Sequence, residues 1–369
     1  MALFDSLGFR WDRDSIPREL PRASLNRVVF RFSRMLPEYV WDAGVLEGNP
    51  FTFPEVKTLL EGVTVGGRKL SDQEQILNLA DSAKYLVDLV KQGQFRLDKD
   101  TFCSLHARVA RNEALEWGHF RGEGAEATYT PDVALGERGR FTPLSTERGA
   151  ERLNEVFGNG VRALQENVSN PFERATAFFL FGSLQQFFFD GNKRTSRFMM
   201  NGLLMTEGID AISIPAVRAK EFNSRMVDFY ITRDATEMMA FVLDCHPEIA
   251  QIRQLNPGLS VIKDAPEIDY FRLNESMDTQ TSGGESTHAR GTGHDTSLDS
   301  AERRQPLRKR PSIEEVQRNA AQNWRRNYYD KRTGIPEPES ESVKTKENAP
   351  EAGKTGYERD AGIDFDPER

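Results

Sequence analysis

The strongest constraint on the fold is a pair of adjoining helical segments joined by the turn Asp-Gly-Asn. The first segment, residues 171–188, is apolar and rich in phenylalanine, and Asn170 followed by Pro171 is a typical helix start. The second segment begins near Asn192 and keeps helical spacing until Gly208, a typical terminator. Because the first segment has little polar surface, the sequence predicts a buried helix inside an all-helical body.

Other helix signals recur between about residues 22 and 250. Thr52 and Glu55 form a capping-box pattern, as do Ser71 and Glu74, and apolar residues at helical spacing follow both pairs. The sequence has no stretch of about 18 apolar residues free of charges. We therefore expect an all-α fold without a membrane-spanning helix.

One segment breaks the helical pattern. Residues 117–145 hold several glycines and two prolines around short strand-like pieces such as residues 126–130. The simplest account is a small β-hairpin that projects from the helical body. Its open strand edge would suit the capture of an extended peptide.

The remaining length is too polar to belong to one globule, since 29% of the chain is charged and its mean hydropathy is −0.60. Composition predicts a flexible linker at residues 256–302, a basic short helix at 303–335 and a disordered acidic tail at 336–369. The basic segment interleaves aromatic residues with arginines, which suits an acidic protein, nucleic acid or a membrane surface as partner. A solvated charged helix on a tether is the alternative.

The cysteine count and the charge narrow the class of protein. Two cysteines, Cys103 and Cys245, occur in 369 residues, which argues against a disulfide framework and fits a reducing compartment such as the cytoplasm. The first residues lack the uninterrupted apolar core of a signal peptide. A net charge of −8 argues against general affinity of the whole chain for nucleic acid.

Three basic residues, Lys193, Arg194 and Arg197, fall in the first two turns of the second helix. A helix start already presents unpaired N–H groups and a positive dipole end, so these cations favour an anion there. Gly191 lets backbone approach a ligand closely, and Asn192 can cap the helix. The pattern predicts a phosphate site, with a solvated helix–turn–helix corner as the alternative.

Asp190 stands directly before these donors. Magnesium often binds one or two carboxylates together with substrate phosphates. We therefore expect Asp190 to hold a magnesium ion that accompanies a nucleotide.

The loop resembles the active-site motif of the Fic (Fido) family: His, any residue, Phe, any residue, Asp or Glu, then Gly-Asn-Gly-Arg, two residues and a second Arg. The matching residues are Phe188, Asp190, Gly191, Asn192, Arg194 and Arg197. The chain departs from the motif at Gln186, which replaces the histidine, and at Lys193, which replaces the second glycine.

A second segment extends the resemblance. Glu47, Gly48 and Asn49 are similar to the family's N-terminal inhibitory motif, although Ala43 stands where the family has serine or threonine. The resemblance implies a Fic-type helical domain in which the hairpin is the flap that aligns a target protein.

The resemblance also implies an N-terminal region with the inhibitory helix at residues 1–60 and a Fic core at residues 61–255. It implies binding of ATP with magnesium and transfer of AMP to a hydroxyl of a target protein. The implied roles are metal binding by Asp190, an anion site lined by Gly191, Asn192 and Lys193, phosphate contacts by Arg194 and Arg197, and inhibition by Glu47 paired with Arg197.

Gln186 limits this chemistry. The family's histidine takes the proton from the attacking hydroxyl, whereas a glutamine amide has no useful basicity. We therefore expect weakened AMP transfer, and His119 is the histidine retained as a candidate replacement base. A Doc-like phosphotransferase, suggested by Lys193, and a silent nucleotide-binding scaffold are the alternatives.

Overall fold

The computed structural model of the chain describes residues 3–259. The predicted basic helix and acidic tail, and the predicted linker beyond residue 259, lie outside these residues. In the part described, helices predominate, and two short strands form one antiparallel hairpin. The predicted all-α fold with a small hairpin is confirmed.

The helices follow one another with short connections. They are α1 (Leu3–Leu7), α2 (Leu25–Arg34), α3 (Leu36–Leu46), α4 (Phe53–Leu60), α5 (Leu70–Lys91), α6 (Lys99–Val109), α7 (Glu151–Asn167), α8 (Pro171–Gln185), α9 (Asn192–Thr206), α10 (Ala219–Thr232), α11 (Thr236–Asp244) and α12 (Ile249–Leu255). None of these helices within residues 3–259 is long and apolar enough to cross a membrane.

The predicted central helix is α8, which is buried almost all round. Asn170 caps its start by accepting from the N–H of Glu173 at 3.1 Å, and Pro171 is the first helical residue. α8 packs most closely on α9, and a Cβ at Gly182 would lie 2.2 Å from Oγ of Ser196. The absence of a side chain at Gly182 therefore lets the two helices approach each other and sets the position of the loop between them.

Two predicted helix boundaries are wrong. α5 begins at Leu70 with Lys69 before it, so the expected capping box that starts at Ser71 does not form. α8 ends at Gln185 instead of residue 188, because Gln186 adopts a left-handed conformation with φ of 49°. The capping box of Thr52 and Glu55 is present as predicted.

The hairpin lies within the predicted segment, residues 117–145, and is smaller than expected. Its strands are β1 (Val133–Ala134) and β2 (Arg140–Phe141), with Val133 opposite Phe141. The predicted strand at residues 126–130 is absent. The Glu126 carboxylate accepts hydrogen bonds from the N–H groups of Thr128 and Tyr129, which folds this piece into a turn. Phe141 stacks on Tyr230 of α10 and anchors the hairpin there.

Candidate active site

Gly191 is the residue on which the loop between α8 and α9 turns. Its φ is +74°, and a Cβ there would lie 3.2 Å from the Cβ of Ala110. Its carbonyl accepts from both the N–H and the hydroxyl of Thr195, at 2.9 and 2.8 Å. Gly191 therefore caps α9, whereas we expected Asn192 to do so.

Asn192 is buried, and its amide closes the loop from within. The amide oxygen accepts from the N–H of Phe188 at 2.9 Å. The amide nitrogen donates to the carbonyl of Phe188 at 2.8 Å and to Oε1 of Gln186 at 3.0 Å. The side chain of Asn192 thus makes these hydrogen bonds within the loop and helps to fix its shape.

Gln186 is also buried, and both ends of its amide have partners. Nε2 donates to the carbonyl of Ser183 at 2.6 Å, and Oε1 accepts from Asn192. The backbone carbonyl of Gln186 accepts from Nε of Arg121 at 2.6 Å. The position expected to hold a general base therefore holds a neutral group whose hydrogen bonds are made inside the protein.

His106 supports the loop from α6. Its Nε2–H donates to the carbonyl of Asp190 at 2.9 Å, and its Nδ1 accepts from the N–H of Gly118 at 3.1 Å. These partners require the neutral ring, and burial lowers the pKa of His106 to about 3. His119, the candidate replacement base, lies in the segment before the hairpin, with its Nε2 3.3 Å from Oε2 of Glu116.

Asp190 is the most exposed charged residue of the loop, with 59% of its side chain accessible. Its Oδ1 accepts from the N–H of Gly191 at 2.6 Å. The carboxylate is therefore fixed in direction yet open to solvent, as a ligand for magnesium needs to be.

Arg194 is buried with its side chain only 3% exposed. Its Nη1 donates to Oε2 of Glu113 at 2.5 Å, and its Nη2 lies 3.8 Å from Oδ1 of Asp190. Burial lowers the pKa of Arg194, but the carboxylates of Glu113 and Asp190 raise it by more, so its pKa lies above the ordinary value. Glu113 lies outside any motif and was not predicted as a site residue.

Glu47 stands at the end of α3 and faces two cations of the loop. Its Oε1 lies 3.6 Å from Nη2 of Arg197, and its Oε2 lies 3.6 Å from Nζ of Lys193. Burial raises the pKa of Glu47, but Lys193 and Arg197 lower it by more, so its pKa lies below the ordinary value. The expected contact with Arg197 is present, and Lys193 adds a contact that we did not predict.

The turn after α3 is built by the two residues that follow Glu47. Gly48 has a φ of +78°, and Asn49 is buried. The amide of Asn49 donates to Oε1 of Gln75 at 2.9 Å and accepts from the N–H of Phe51 at 3.1 Å. Gly48 and Asn49 therefore set the direction of Glu47 and take no part in its ion pairs.

Several polar atoms of this cluster lack a hydrogen-bond partner among residues 3–259. They are Nε of Arg194, Nη1 and Nη2 of Arg197, and Oε1 of Glu47. A buried donor that is left unpaired is costly, and guanidinium donors match phosphate oxygens. The arrangement therefore fits a phosphate group, with Asp190 beside it for a metal ion.

A cleft of about 830 Å³ opens beside Glu47 and Lys193. Its other walls are residues 133–136 of the hairpin and one face of α10, including Tyr230. Such a volume suits a small-molecule ligand of nucleotide size. Lys193 of the basic loop thus lines the same cleft as the hairpin.

Two curated proteins that are similar in sequence to this chain are both named protein adenylyltransferase. The protein adenylyltransferase fic-1 of Caenorhabditis elegans is 25% identical over 187 residues, which are 50% of this chain and 34% of the relative. The protein adenylyltransferase Fic of Drosophila mojavensis is 26% identical over 211 residues, 56% of this chain and 39% of the relative. The chain thus spans between a third and two fifths of the length of these relatives. No protein-family model matches.

Solved structures with a related arrangement include Fic-1 of C. elegans, at 20% identity and a TM-score of 0.49, covering 69% of this chain and 70% of that one. A Fic-domain-containing signalling protein of Bacteroides thetaiotaomicron has 16% identity and a TM-score of 0.49, covering 71% of this chain and 98% of that one. The curated relatives, the loop of residues 186–197 and the turn at Glu47 together identify a Fic (Fido) domain in this chain.

Proposed function

We propose that the chain binds magnesium-ATP in the cleft beside Lys193 and is a protein adenylyltransferase of low activity, held back by Glu47. The observation that carries this proposal is the position of Glu47 at the cleft wall, where it faces both Lys193 and Arg197. The relatives' name, protein adenylyltransferase, supports the reaction type.

The residues present fit the group to be bound. Arg194 and Arg197 carry unpaired buried donors, and Lys193 reaches the cleft, so three cations would receive the phosphates. Asp190 would hold a magnesium ion, which neutralises charge on the phosphates. The N–H groups of the first turn of α9 add the positive end of the helix dipole.

In AMP transfer, the hydroxyl oxygen of a target forms a bond to the α-phosphorus of ATP, the bond to the β-phosphate oxygen breaks, and pyrophosphate leaves. The hydroxyl proton has to reach a base. Gln186 offers none, and its amide oxygen is already the acceptor for Asn192. General-base catalysis is typically worth about 10²–10⁴-fold, so transfer without it is slow.

Glu47 would inhibit nucleotide binding through its negative charge and through its position in the site. An acidic side chain between Arg197 and Lys193 occupies two cations that a triphosphate needs, and it adds negative charge beside that triphosphate. A nucleotide would then bind weakly or in an unproductive position. The flap of residues 133–141 borders the same cleft, so a target segment laid along it would reach the nucleotide.

A second candidate is a nucleotide-binding scaffold without catalysis. It is favoured by Gln186, whose amide is hydrogen-bonded within the fold and is not basic enough to take a substrate proton. A Doc-like phosphotransferase, which Lys193 suggested, would instead move the terminal phosphate.

Incubation with ATP labelled at the α- or the γ-phosphate, followed by intact-mass measurement of the protein and of cell lysate proteins, separates these functions. We expect a slow gain of AMP and of α-label only, dependent on magnesium. Gain of γ-label would identify a phosphotransferase. Absence of both, with an ATP-dependent rise in Tm, would identify a scaffold.

The binding step has its own test. We expect magnesium-ATP to raise the Tm of the wild type and to have no such effect on Asp190→Ala. The exposed Asp88 of α5, changed to alanine, is the matched control. A Tm that ATP and magnesium leave unchanged in the wild type would refute the proposed site.

A further inference from the structure

We propose that Glu113 is a positioning residue that holds Arg194 away from Asp190 and so keeps the Asp190 carboxylate free for a metal ion. This inference rests on the proposed function, because it assigns Asp190 to the metal. Glu113 belongs to the segment after α6 and lies far in sequence from the loop.

Two carboxylates compete for the same guanidinium. Oε2 of Glu113 accepts from Nη1 of Arg194 at 2.5 Å, whereas Oδ1 of Asp190 lies 3.8 Å from Nη2. The Glu113 side chain is 14% exposed and that of Asp190 is 59% exposed. Since screening by water weakens the attraction to an exposed group, the buried carboxylate holds the guanidinium more strongly.

Glu113 is itself fixed by two amides of α5. Nε2 of Gln75 donates to its Oε2 at 2.9 Å, and Nδ2 of Asn78 donates to its Oε1 at 3.2 Å. Asn78 also donates to the carbonyl of Arg111 at 2.7 Å, which prevents its amide from turning away. Both oxygens of Glu113 are therefore held by hydrogen bonds that do not depend on Arg194.

The same amides connect Glu113 to the turn that carries Glu47. Oε1 of Gln75 accepts from Asn49, so a chain of hydrogen bonds runs from Asn49 through Gln75 and Glu113 to Arg194. The turn after α3 thus contacts the loop twice, through the ion pairs of Glu47 and through this chain.

Loss of Glu113 would leave a guanidinium that is 3% exposed without its hydrogen-bonded partner. A buried charge without a partner is strongly unfavourable, so Arg194 would move toward another carboxylate. Asp190 is already 3.8 Å away and accessible. The new pair would occupy the carboxylate that the metal needs.

The test is Mn²⁺ binding in the presence of ATP, measured by electron paramagnetic resonance on the full chain. We expect Glu113→Ala to raise the Mn²⁺ concentration for half-saturation at least about tenfold, as is typical for loss of a group that orients a metal ligand. In Arg194→Ala no guanidinium remains to pair with Asp190, although a phosphate contact is also lost. We therefore expect Glu113→Ala, added to Arg194→Ala, to change the half-saturating Mn²⁺ concentration of Arg194→Ala by less than about threefold.

Glu74 provides the matched charge control because it lies near Glu113. Burial and the negative charge of Glu113 both raise the pKa of Glu74. Glu74→Ala removes a nearby negative charge and should leave Mn²⁺ binding unchanged. Glu113→Gln keeps the shape of the side chain and so is the variant less disruptive to the fold. It should raise the half-saturating Mn²⁺ concentration by less than Glu113→Ala does.

Unchanged or tighter Mn²⁺ binding in Glu113→Ala would overturn the positioning role. So would a loss on the Arg194→Ala background that is as large as the loss in the wild-type background. Those results leave the proposed function standing, because the wild type still binds the metal. A wild type that binds no Mn²⁺ with ATP would overturn the proposed function, and this inference with it.

Discussion

Asn192 donates its amide N–H to Oε1 of Gln186 at 3.0 Å, so the residue in the position of the general base is an acceptor in an internal hydrogen bond. A histidine at position 186 would have a basic nitrogen of ordinary pKa near neutrality. We expect Gln186→His together with Glu47→Gly to raise AMP transfer about 10²-fold or more over the wild type. Intact-mass measurement of AMP-modified protein gives the rate.

Gln185→His with Glu47→Gly is the matched control, because the Gln185 amide donates to the carbonyl of Leu7 and lies outside the loop's hydrogen bonds. We expect the AMP-transfer rate of this control to equal that of Glu47→Gly alone. A Gln186→His, Glu47→Gly variant that binds ATP and transfers no AMP would show that other residues also restrain the reaction.

Glu47→Gln tests the inhibitory contact separately. The amide keeps the size of the side chain and removes the charge between Arg197 and Lys193, so both cations become available to phosphates. We expect ATP affinity to rise about tenfold, or about 1.4 kcal/mol, by isothermal titration calorimetry. Glu61→Gln, an exposed change at the end of α4, is the control and should leave ATP affinity unchanged. Equal ATP affinities of the wild type and Glu47→Gln would contradict the inhibitory role of Glu47.

Asp42 lies on α3, the helix that ends at Glu47, and gives the fold a pH dependence. Its Oδ2 accepts from the hydroxyl of Ser213 at 2.7 Å, and its Oδ1 accepts from the N–H of Ala216 at 2.8 Å. Burial raises the pKa of Asp42 to about 7, although these hydrogen bonds lower it. An aspartate in the unfolded chain titrates near 3.9, so between about pH 4 and pH 7 the unfolded state binds fewer protons than the folded one.

Stability from this group is therefore complete below about pH 4 and is lost as the pH rises toward 7. Between pH 5 and pH 8 we expect the wild type to lose about 2–3 kcal/mol more of its free energy of unfolding than Asp42→Asn does, by urea titration. Asp88→Asn, on an exposed face of α5, should behave as the wild type. Parallel pH profiles for the wild type and Asp42→Asn would refute this assignment.

The local signals in the sequence predicted the elements well and their ends less well. Asn170 with Pro171, and Thr52 with Glu55, start helices as expected because a cap depends on neighbouring residues alone. The end of α8 depends on the Asn192 amide, which satisfies the backbone of Phe188 and so competes with helical hydrogen bonds. No local pattern describes that competition.

Sequence motifs indicated the parts of the site that lie in the loop between α8 and α9 and at the end of α3. The loop of residues 186–197 and the contact between Glu47 and Arg197 followed from the resemblance. Glu113, His106 and the pairing of Lys193 with Glu47 come together only through the packing of α3, α5, α6 and α9. Glu113 and His106 lie outside both motifs, and only the fold brings their side chains to the loop.

Arg121 is fully buried and connects the loop to the segment after the hairpin. Its guanidinium donates to the carbonyls of Gln186 and Leu144 and to the hydroxyl of Thr146, at 2.6 to 2.7 Å, and burial lowers its pKa to about 10. Lysine lacks the planar fork needed for three such acceptors. We expect Arg121→Lys to lower the free energy of unfolding by about 2–4 kcal/mol, because buried acceptors lose their donors.

Arg148→Lys, an exposed change in the same region, should alter the free energy of unfolding by less than about 0.5 kcal/mol. Urea unfolding of both variants measures the difference. Since Arg121 holds the backbone of Gln186, Arg121→Lys in the Gln186→His, Glu47→Gly background should also reduce AMP transfer. A destabilised variant that keeps its full transfer rate at low temperature would show that Arg121 supports the fold without positioning residue 186.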